Sequence, residues 1–171
     1  MLSTLGVIIT AGLTGLFCHF VLKTSIFEGL LLGCIVASTD AASVISILRS
    51  RNLKLKNNID TLVEFESGSN DPTAYMLTSV MLIFITSNES VGIGLLGMIF
   101  KQIVFGVTVG LFLSKLAVFI LRKVEFEIEG LYPIFTITVA ILAYSISEFL
   151  GGNGYLSVFI AGIVMGNSKI P

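Results

Sequence analysis

The sequence predicts an all-α, polytopic helical membrane protein with about six transmembrane helices, one of them unwound in its middle. Hydrophobic residues make up 54% of the 171 residues and charged residues only 12%, about half the share of a typical soluble domain. The mean hydropathy is +0.98. Apolar runs of about 20 residues, the length that crosses a hydrocarbon core, alternate with short polar segments. A soluble core of this size could not bury so many runs.

The first two apolar segments predict spans at residues 2–22 and 26–48. The second is interrupted at residues 37–43, which have no large side chain and include one acid. Non-helical backbone at membrane depth is tolerated where it lines a cavity or is buried in protein. In transporters, such breaks present helix ends and carbonyl groups to an ion. We therefore predict a locally unwound helix near Thr39 and Asp40.

A basic loop after the second span sets the predicted orientation. Short loops rich in lysine and arginine face the cytoplasm. With an even number of spans, both termini of the chain are then predicted to be cytoplasmic, in the cell membrane. The basic residues of this loop are Arg49, Arg51, Lys54 and Lys56.

The third predicted span, residues 61–86, begins with the most polar stretch of the chain. Thr61 and Glu64 fit a capping box, which predicts that the helix begins there. Pro72 removes a backbone donor and crowds the carbonyl of Gly68, so a bend is predicted at that turn.

Ionisable residues inside a span are functional candidates, because charge is costly there. On a helix, Ser67 and Asp71 share one face because they are four residues apart, and Glu66 and Asn70 share the neighbouring face. Spans two and three are joined by a short loop, so the polar stretch is predicted to lie beside the unwound segment and to form a site with Ser38, Thr39 and Asp40.

Three more spans are predicted at residues 91–121, 131–150 and 155–166. Gly106-x-x-x-Gly110 in the first of them is a signal for close helix packing. Gly162-x-x-x-Gly166 in the last repeats the pattern. Together the spans predict a single transmembrane unit over residues 1–171.

Composition and charge argue against several functional classes. The net charge is −1, and no stripe of lysine and arginine exists that would bind nucleic acid. Cys18 and Cys34 lie in apolar segments without metal-ligand spacing and are interpreted as small buried thiols. The single histidine, His19, is interpreted as a packing residue. No cofactor is expected, and no catalytic set is evident.

The oxygen-rich residues indicate a cation site. Hard cations prefer oxygen ligands, and Asp71, Ser67 and Thr39 all supply them. One carboxylate can hold a proton or a cation, but not both well. If Asp71 faces one side of the membrane at a time, this competition couples cation flow to proton flow in the opposite direction.

Two segments in order, residues 33–44 and residues 64–72, resemble the monovalent cation:proton antiporters. This family includes bacterial and archaeal sodium/proton antiporters and animal sodium/hydrogen exchangers. Residues 154–167 also fit its pattern. The resemblance covers nearly the whole chain, and the two segments together are a specific signal.

The resemblance implies roles for individual residues. The aspartate that matches Asp71 binds cation and proton in alternation, and the asparagine that matches Asn70 marks the electroneutral branch. The implied ions are protons with sodium, potassium or lithium. The other residues that the resemblance places at or beside the site are Ser67, Thr39, Asp40 and Glu66.

The resemblance also implies a longer protomer in the lipid membrane, usually a homodimer. This chain would supply about half of its spans, so we expect a partial chain of the antiporter transmembrane domain. A non-transporting fragment or assembly piece is therefore an alternative. A third is an intramembrane aspartyl protease, which also pairs two aspartates on adjacent spans. The residues before Asp71 do not match the Gly-x-Gly-Asp signature of those enzymes.

Overall fold

The computed structural model describes residues 2–39, 59–86, 93–124 and 130–168, with the isolated positions 43, 46, 47 and 50. These residues form six α-helices, and no strand occurs among them, which confirms the all-α prediction. The helices are α1 (Leu2–Leu22), α2 (Ile26–Val36), α3 (Ile59–Thr86), α4 (Ile93–Lys123), α5 (Leu131–Phe149) and α6 (Gly154–Gly166). The predicted basic loop, including Arg49, Arg51, Lys54 and Lys56, lies outside the described residues.

Three helices, α1, α4 and α5, are long and apolar enough to cross a membrane by length and composition. The helices α2 and α6 are apolar but shorter. Helix α3 has 28 residues, which corresponds to about 42 Å, and it carries the polar stretch in its first half. These apolar helices agree with the predicted fold, a helical polytopic membrane protein.

The chain divides into two compact units, Met1–Gly92 and Ile93–Pro171. Unit 1 contains α1, α2 and α3, and unit 2 contains α4, α5 and α6. Each unit has its own small core of buried apolar side chains.

In unit 1, glycines bring α1 and α2 into backbone contact. A Cβ on Gly29 would stand 2.6 Å from the carbonyl oxygen of Gly15, and a Cβ on Gly33 would overlap the carbonyl oxygen of Ala11. Gly12 differs, because a Cβ there would meet nothing within 4 Å. The two helices can approach this closely only because glycine has no side chain at these positions.

The core of unit 1 lies where α1, the end of α2 and α3 meet. Leu77 and Met81 of α3 pack against it from the side. Two core residues adjoin the polar segments, since Ala37 directly precedes Ser38 and Ala74 lies one turn beyond Asn70. The core therefore holds the end of α2 against α3. Its buried members are Val7, Ala11, Cys34, Ala37 and Ala74.

Helix α2 ends where the sequence predicts a break. Its first turn is closed by a capping box, in which Ser25 and Glu28 exchange hydrogen bonds of 3.0 and 3.2 Å. At the other end of α2, the Ala37 amide donates the final helical hydrogen bond to the Gly33 carbonyl oxygen at 3.0 Å. Ser38 and Thr39 then lie outside any helix, which confirms the unwound segment at Thr39.

Helix α3 begins earlier than predicted. It starts at Ile59, so Thr61 lies inside the helix and the predicted start at the capping box is wrong. The Glu64 side chain lies outside the described residues. The helix continues through Pro72, which is buried. Several hydroxyls of α3 donate to carbonyls three or four residues earlier on the same helix: Ser69, Thr73, Thr78, Ser79 and Thr86.

In unit 2, α4 and α6 make a close contact through the predicted glycine pair. A Cβ on Gly106 would stand 2.9 Å from the Asn153 carbonyl oxygen, and one on Gly110 would stand 2.6 Å from the Ser157 carbonyl oxygen. The packing prediction is confirmed for this pair. At Gly162 and at Gly166, a Cβ would meet nothing within 4 Å, so the second glycine pair does not mediate a contact between described residues.

The turn between α5 and α6 is built from backbone and capping bonds. Gly151 has a φ of +75°, a conformation that glycine adopts without strain. The Asn153 side chain caps α6 by accepting from the Leu156 amide at 3.0 Å. The Glu148 carboxylate accepts from the Gly154 amide at 2.9 Å.

Candidate cation site

The unwound segment is tied to α3 by two side chains that meet Thr39. The Asn70 amide nitrogen donates to the Thr39 hydroxyl oxygen at 2.6 Å. The Ser67 hydroxyl donates to the Thr39 carbonyl oxygen. Ser67 and Asn70 are three residues apart, so both point from the same side of α3. This extends the predicted grouping, which placed Asn70 on the neighbouring face.

The carboxylate of Asp71 meets the same segment one residue earlier. The Ser38 hydroxyl donates a hydrogen bond to Oδ1 of Asp71. A hydrogen bond between a hydroxyl and a carboxylate is charge-assisted, and such bonds are stronger than neutral ones. Two adjacent residues of the broken segment are thus bonded to α3, one through a carboxylate and one through an amide and a hydroxyl.

Burial separates these side chains into two groups. Ser67 and Asn70 are 7% and 4% exposed, whereas Ser38 and Thr39 are exposed and Asp71 is intermediate. Ser67 and Asn70 therefore form the buried support of the site. The Asp71 carboxylate and the Ser38 hydroxyl lie on its open side, where an ion could reach them.

One buried acceptor at the site has no partner. The Asn70 side-chain oxygen accepts no hydrogen bond from any residue that the structure describes. A buried polar atom without a partner is costly, so this oxygen is available to a donor or a cation. Its amide nitrogen is occupied by Thr39.

The structure brings together four of the six predicted site residues: Thr39, Ser67, Asn70 and Asp71. Asp40 lies outside the described residues. Glu66 is half-buried on α3, and its carboxylate makes no hydrogen bond to a described residue of the site. Ser38 is not among those six residues, but it belongs to the polar segment that the sequence pairs with α3, and the structure brings it to Asp71.

The donor atoms suit a small hard cation. The described site offers carboxylate, hydroxyl, carbonyl and amide oxygens. Oxygen atoms that donate or accept one hydrogen bond still hold lone pairs. Asp71 is the single acid that hydrogen-bonds within the described site. One negative charge with neutral oxygen ligands matches a monovalent ion better than a divalent one.

A family model described as "Sodium/hydrogen exchanger, transmembrane" matches residues 1–170. The chain belongs to this family. The match confirms the family resemblance and shows a multi-pass membrane protein. Because sodium/hydrogen exchangers are transporters and not enzymes, it also overturns the intramembrane protease alternative.

The chain is similar in sequence, over nearly its whole length, to several named antiporters. The K(+)/H(+) antiporter NhaP of Alkalimonas amylolytica is 36% identical over 100% of the chain. The K(+)/H(+) antiporter NhaP2 of Shewanella oneidensis is 39% identical over 97%. The Na(+)/H(+) antiporter NhaS2 of Synechocystis is 32% identical over 95%. The chain spans 29–30% of the length of these relatives.

Proposed function

We propose that this protein exchanges a monovalent cation, sodium or potassium, for protons across the membrane, with cation and proton competing for Asp71. The observation that carries the proposal is the hydrogen bond between the Asp71 carboxylate and Ser38. Ser38 lies in the non-helical segment that follows α2. The names of the relatives, potassium/proton and sodium/proton antiporters, support the same reaction.

The neutral residues assist by holding the broken segment beside the carboxylate. Asn70 and Ser67 fix the hydroxyl and carbonyl of Thr39. The Thr39 carbonyl keeps a second lone pair for a cation. When Asp71 is ionised, it attracts a cation to these oxygens. When it is protonated, that attraction is lost and the cation leaves.

We propose a stoichiometry of one cation for one proton. Asn70 stands beside Asp71, where a second acid would add a second titrating charge. The substitution Asn70→Asp would add this second titrating charge. We expect exchange by the wild-type protein to be insensitive to membrane potential and exchange by the variant to respond to it, measured in vesicles with an imposed potential.

The same proposal covers location and assembly. Both termini of the chain face the cytoplasm, and residues 1–171 act as one transmembrane unit in the cell membrane. Lithium is a further substrate, membrane lipid surrounds the spans, and the protein forms a homodimer. The excess of basic residues between spans two and three supports the orientation. Asp40 and Glu66 belong to the wider site.

The test is exchange in everted membrane vesicles that contain the full-length protein. A pH-sensitive dye reports proton movement when sodium or potassium is added. We expect Asp71→Asn to reduce dequenching to the level of vesicles without the protein. Glu148→Gln is the matched control, because it also removes a half-buried carboxylate from a helix. Normal exchange by Asp71→Asn would refute the proposal.

A second candidate is a non-transporting piece that assembles with other spans. The observation that favours it is the coverage of 29–30% of the relatives' length. The two candidates separate in proteoliposomes made with the 171-residue chain alone. Cation-driven proton flux that Asp71→Asn abolishes would assign transport to the chain itself. Flux that appears only with the full-length protein would assign it the assembly role.

A further inference from the structure

The hydroxyl of Ser38 has a partner that distinguishes it from the other hydroxyl donor of the site. Ser67 donates to a backbone carbonyl, that of Thr39, and so supports the chain. Ser38 donates to Oδ1 of Asp71, the proposed carrier atom. Ser38 is also exposed, whereas Ser67 is 7% exposed. The Ser38 oxygen therefore lies next to the carboxylate on the side that an ion can approach.

The position of Ser38 is determined by its neighbours on both sides. Ala37, before it, is 4% exposed and belongs to the core of unit 1. Thr39, after it, is held by Ser67 and Asn70. With both neighbours anchored, the Ser38 backbone stays beside Asp71. Its hydroxyl hydrogen, in contrast, can turn about a single bond.

This freedom gives the hydroxyl two uses. A serine hydroxyl has one hydrogen and two lone pairs. Without a cation, the hydrogen points to the carboxylate. With a cation on Asp71, the hydrogen turns away and the oxygen faces the ion. The oxygen itself need not move far, because it already lies within hydrogen-bond distance of Oδ1.

We propose that Ser38 is a direct cation ligand that shares the ion with Asp71. This inference rests on the proposed exchange function. Hard cations are bound by several oxygens at once, and a neutral hydroxyl adds a ligand without adding charge. In this assignment, Ser38 contributes to cation affinity as a ligand beside Asp71.

The experiment compares Ser38→Ala with Ser38→Thr in everted vesicles of the full-length protein. The apparent KM and the maximal rate are measured with sodium and with potassium. We expect Ser38→Ala to raise the KM of the transported cation about tenfold, with the maximal rate within about twofold, because one ligand to a charged group is lost. Ser38→Thr keeps the hydroxyl, so we expect a KM near that of the wild type.

A binding measurement makes the test independent of transport. Added sodium or potassium raises the melting temperature of purified protein, and the half-saturating concentration reports affinity. Ser38→Ala should shift that concentration upward by the same factor as the KM. Ser69→Ala is the matched hydroxyl deletion, because Ser69 donates to the Glu66 carbonyl of its own helix, and we expect it to leave the half-saturating concentration within about twofold.

The outcomes separate the inference from the function on which it rests. An unchanged or lower KM and half-saturating concentration in Ser38→Ala, with exchange still dependent on Asp71, would overturn the ligand role alone. Failure of Ser38→Thr to restore affinity would also overturn it. Normal exchange by Asp71→Asn would instead remove the proposed function.

Discussion

The two units use their polar side chains for different purposes. In unit 1, Ser67 and Asn70 reach from α3 to a segment that is not helical. In unit 2, Asn153 and Glu148 bond to amides at the start of α6 and complete an ordinary turn. Capping within a turn satisfies the backbone locally. Bonds that cross to a broken segment keep backbone oxygens near a carboxylate, and this is why the candidate site is placed in unit 1.

Glycine pairs show a second contrast. Gly106 and Gly110 lie against the backbone of α6. Gly162 has the same spacing to Gly166 but no neighbour within reach of a Cβ among the described residues. The spacing alone therefore does not identify a contact. Substitution by alanine separates the two classes, because the added methyl group is identical and only the surroundings differ.

The largest effect is expected at Gly33 in unit 1. Gly33→Ala places a Cβ on the Ala11 carbonyl, so α1 and α2 must move apart. We expect a loss of about 3 kcal/mol in the free energy of unfolding, seen as a lower melting temperature in detergent. Gly12→Ala is the control, with open space around its Cβ. Equal melting temperatures for the two variants would contradict the close contact.

A smaller effect is expected at Gly110 in unit 2. Gly110→Ala brings a Cβ within 2.6 Å of the Ser157 carbonyl oxygen. We expect about 1–3 kcal/mol of destabilisation. Gly162→Ala should leave the melting temperature unchanged or raise it slightly, since alanine favours helix more than glycine does. If Gly162→Ala destabilised as much as Gly110→Ala, the contrast between the two glycine pairs would be lost.

The sequence predicts the helices well because long apolar runs leave few alternatives in a membrane. Span one, at residues 2–22, matches α1, and the break after residue 36 follows from a run without large side chains. The start of α3 at Ile59 was not predicted, because the capping signal at Thr61 is local and the helix extends past it.

Pairwise contacts were harder to predict from the sequence. The meeting of Ser38 with Asp71 depends on how α3 is rotated about its axis and on where the unwound segment leaves α2. Neither quantity is encoded in the spacing of one helix. The sequence predicts Thr39, Ser67, Asn70 and Asp71 as a group from the family resemblance and from their oxygen chemistry, whereas their division into buried and more exposed side chains required the structure.

The substitution Asn70→Ala tests whether the polar bonds of unit 1 matter for exchange as well as for stability. Asn70→Ala removes the donor to Thr39 and leaves a buried gap beside it. We expect about 1–3 kcal/mol of destabilisation and a clear loss of exchange rate, because the Thr39 oxygens are no longer held at the site. Melting temperature and vesicle dequenching measure the two effects. Stability lost without any loss of exchange would reduce Asn70 to a packing residue.

The smallest effect is expected at Asn153, a fully buried asparagine of unit 2. Asn153→Ala removes the cap of α6, which should lower the free energy of unfolding by about 1 kcal/mol. Asn167→Ala, at the exposed C-cap of the same helix, is the control. Because the described side-chain bond of Asn153 caps α6, we expect the KM for the cation to stay at the wild-type value. A changed KM in Asn153→Ala would show that unit 2 also contributes to the ion site.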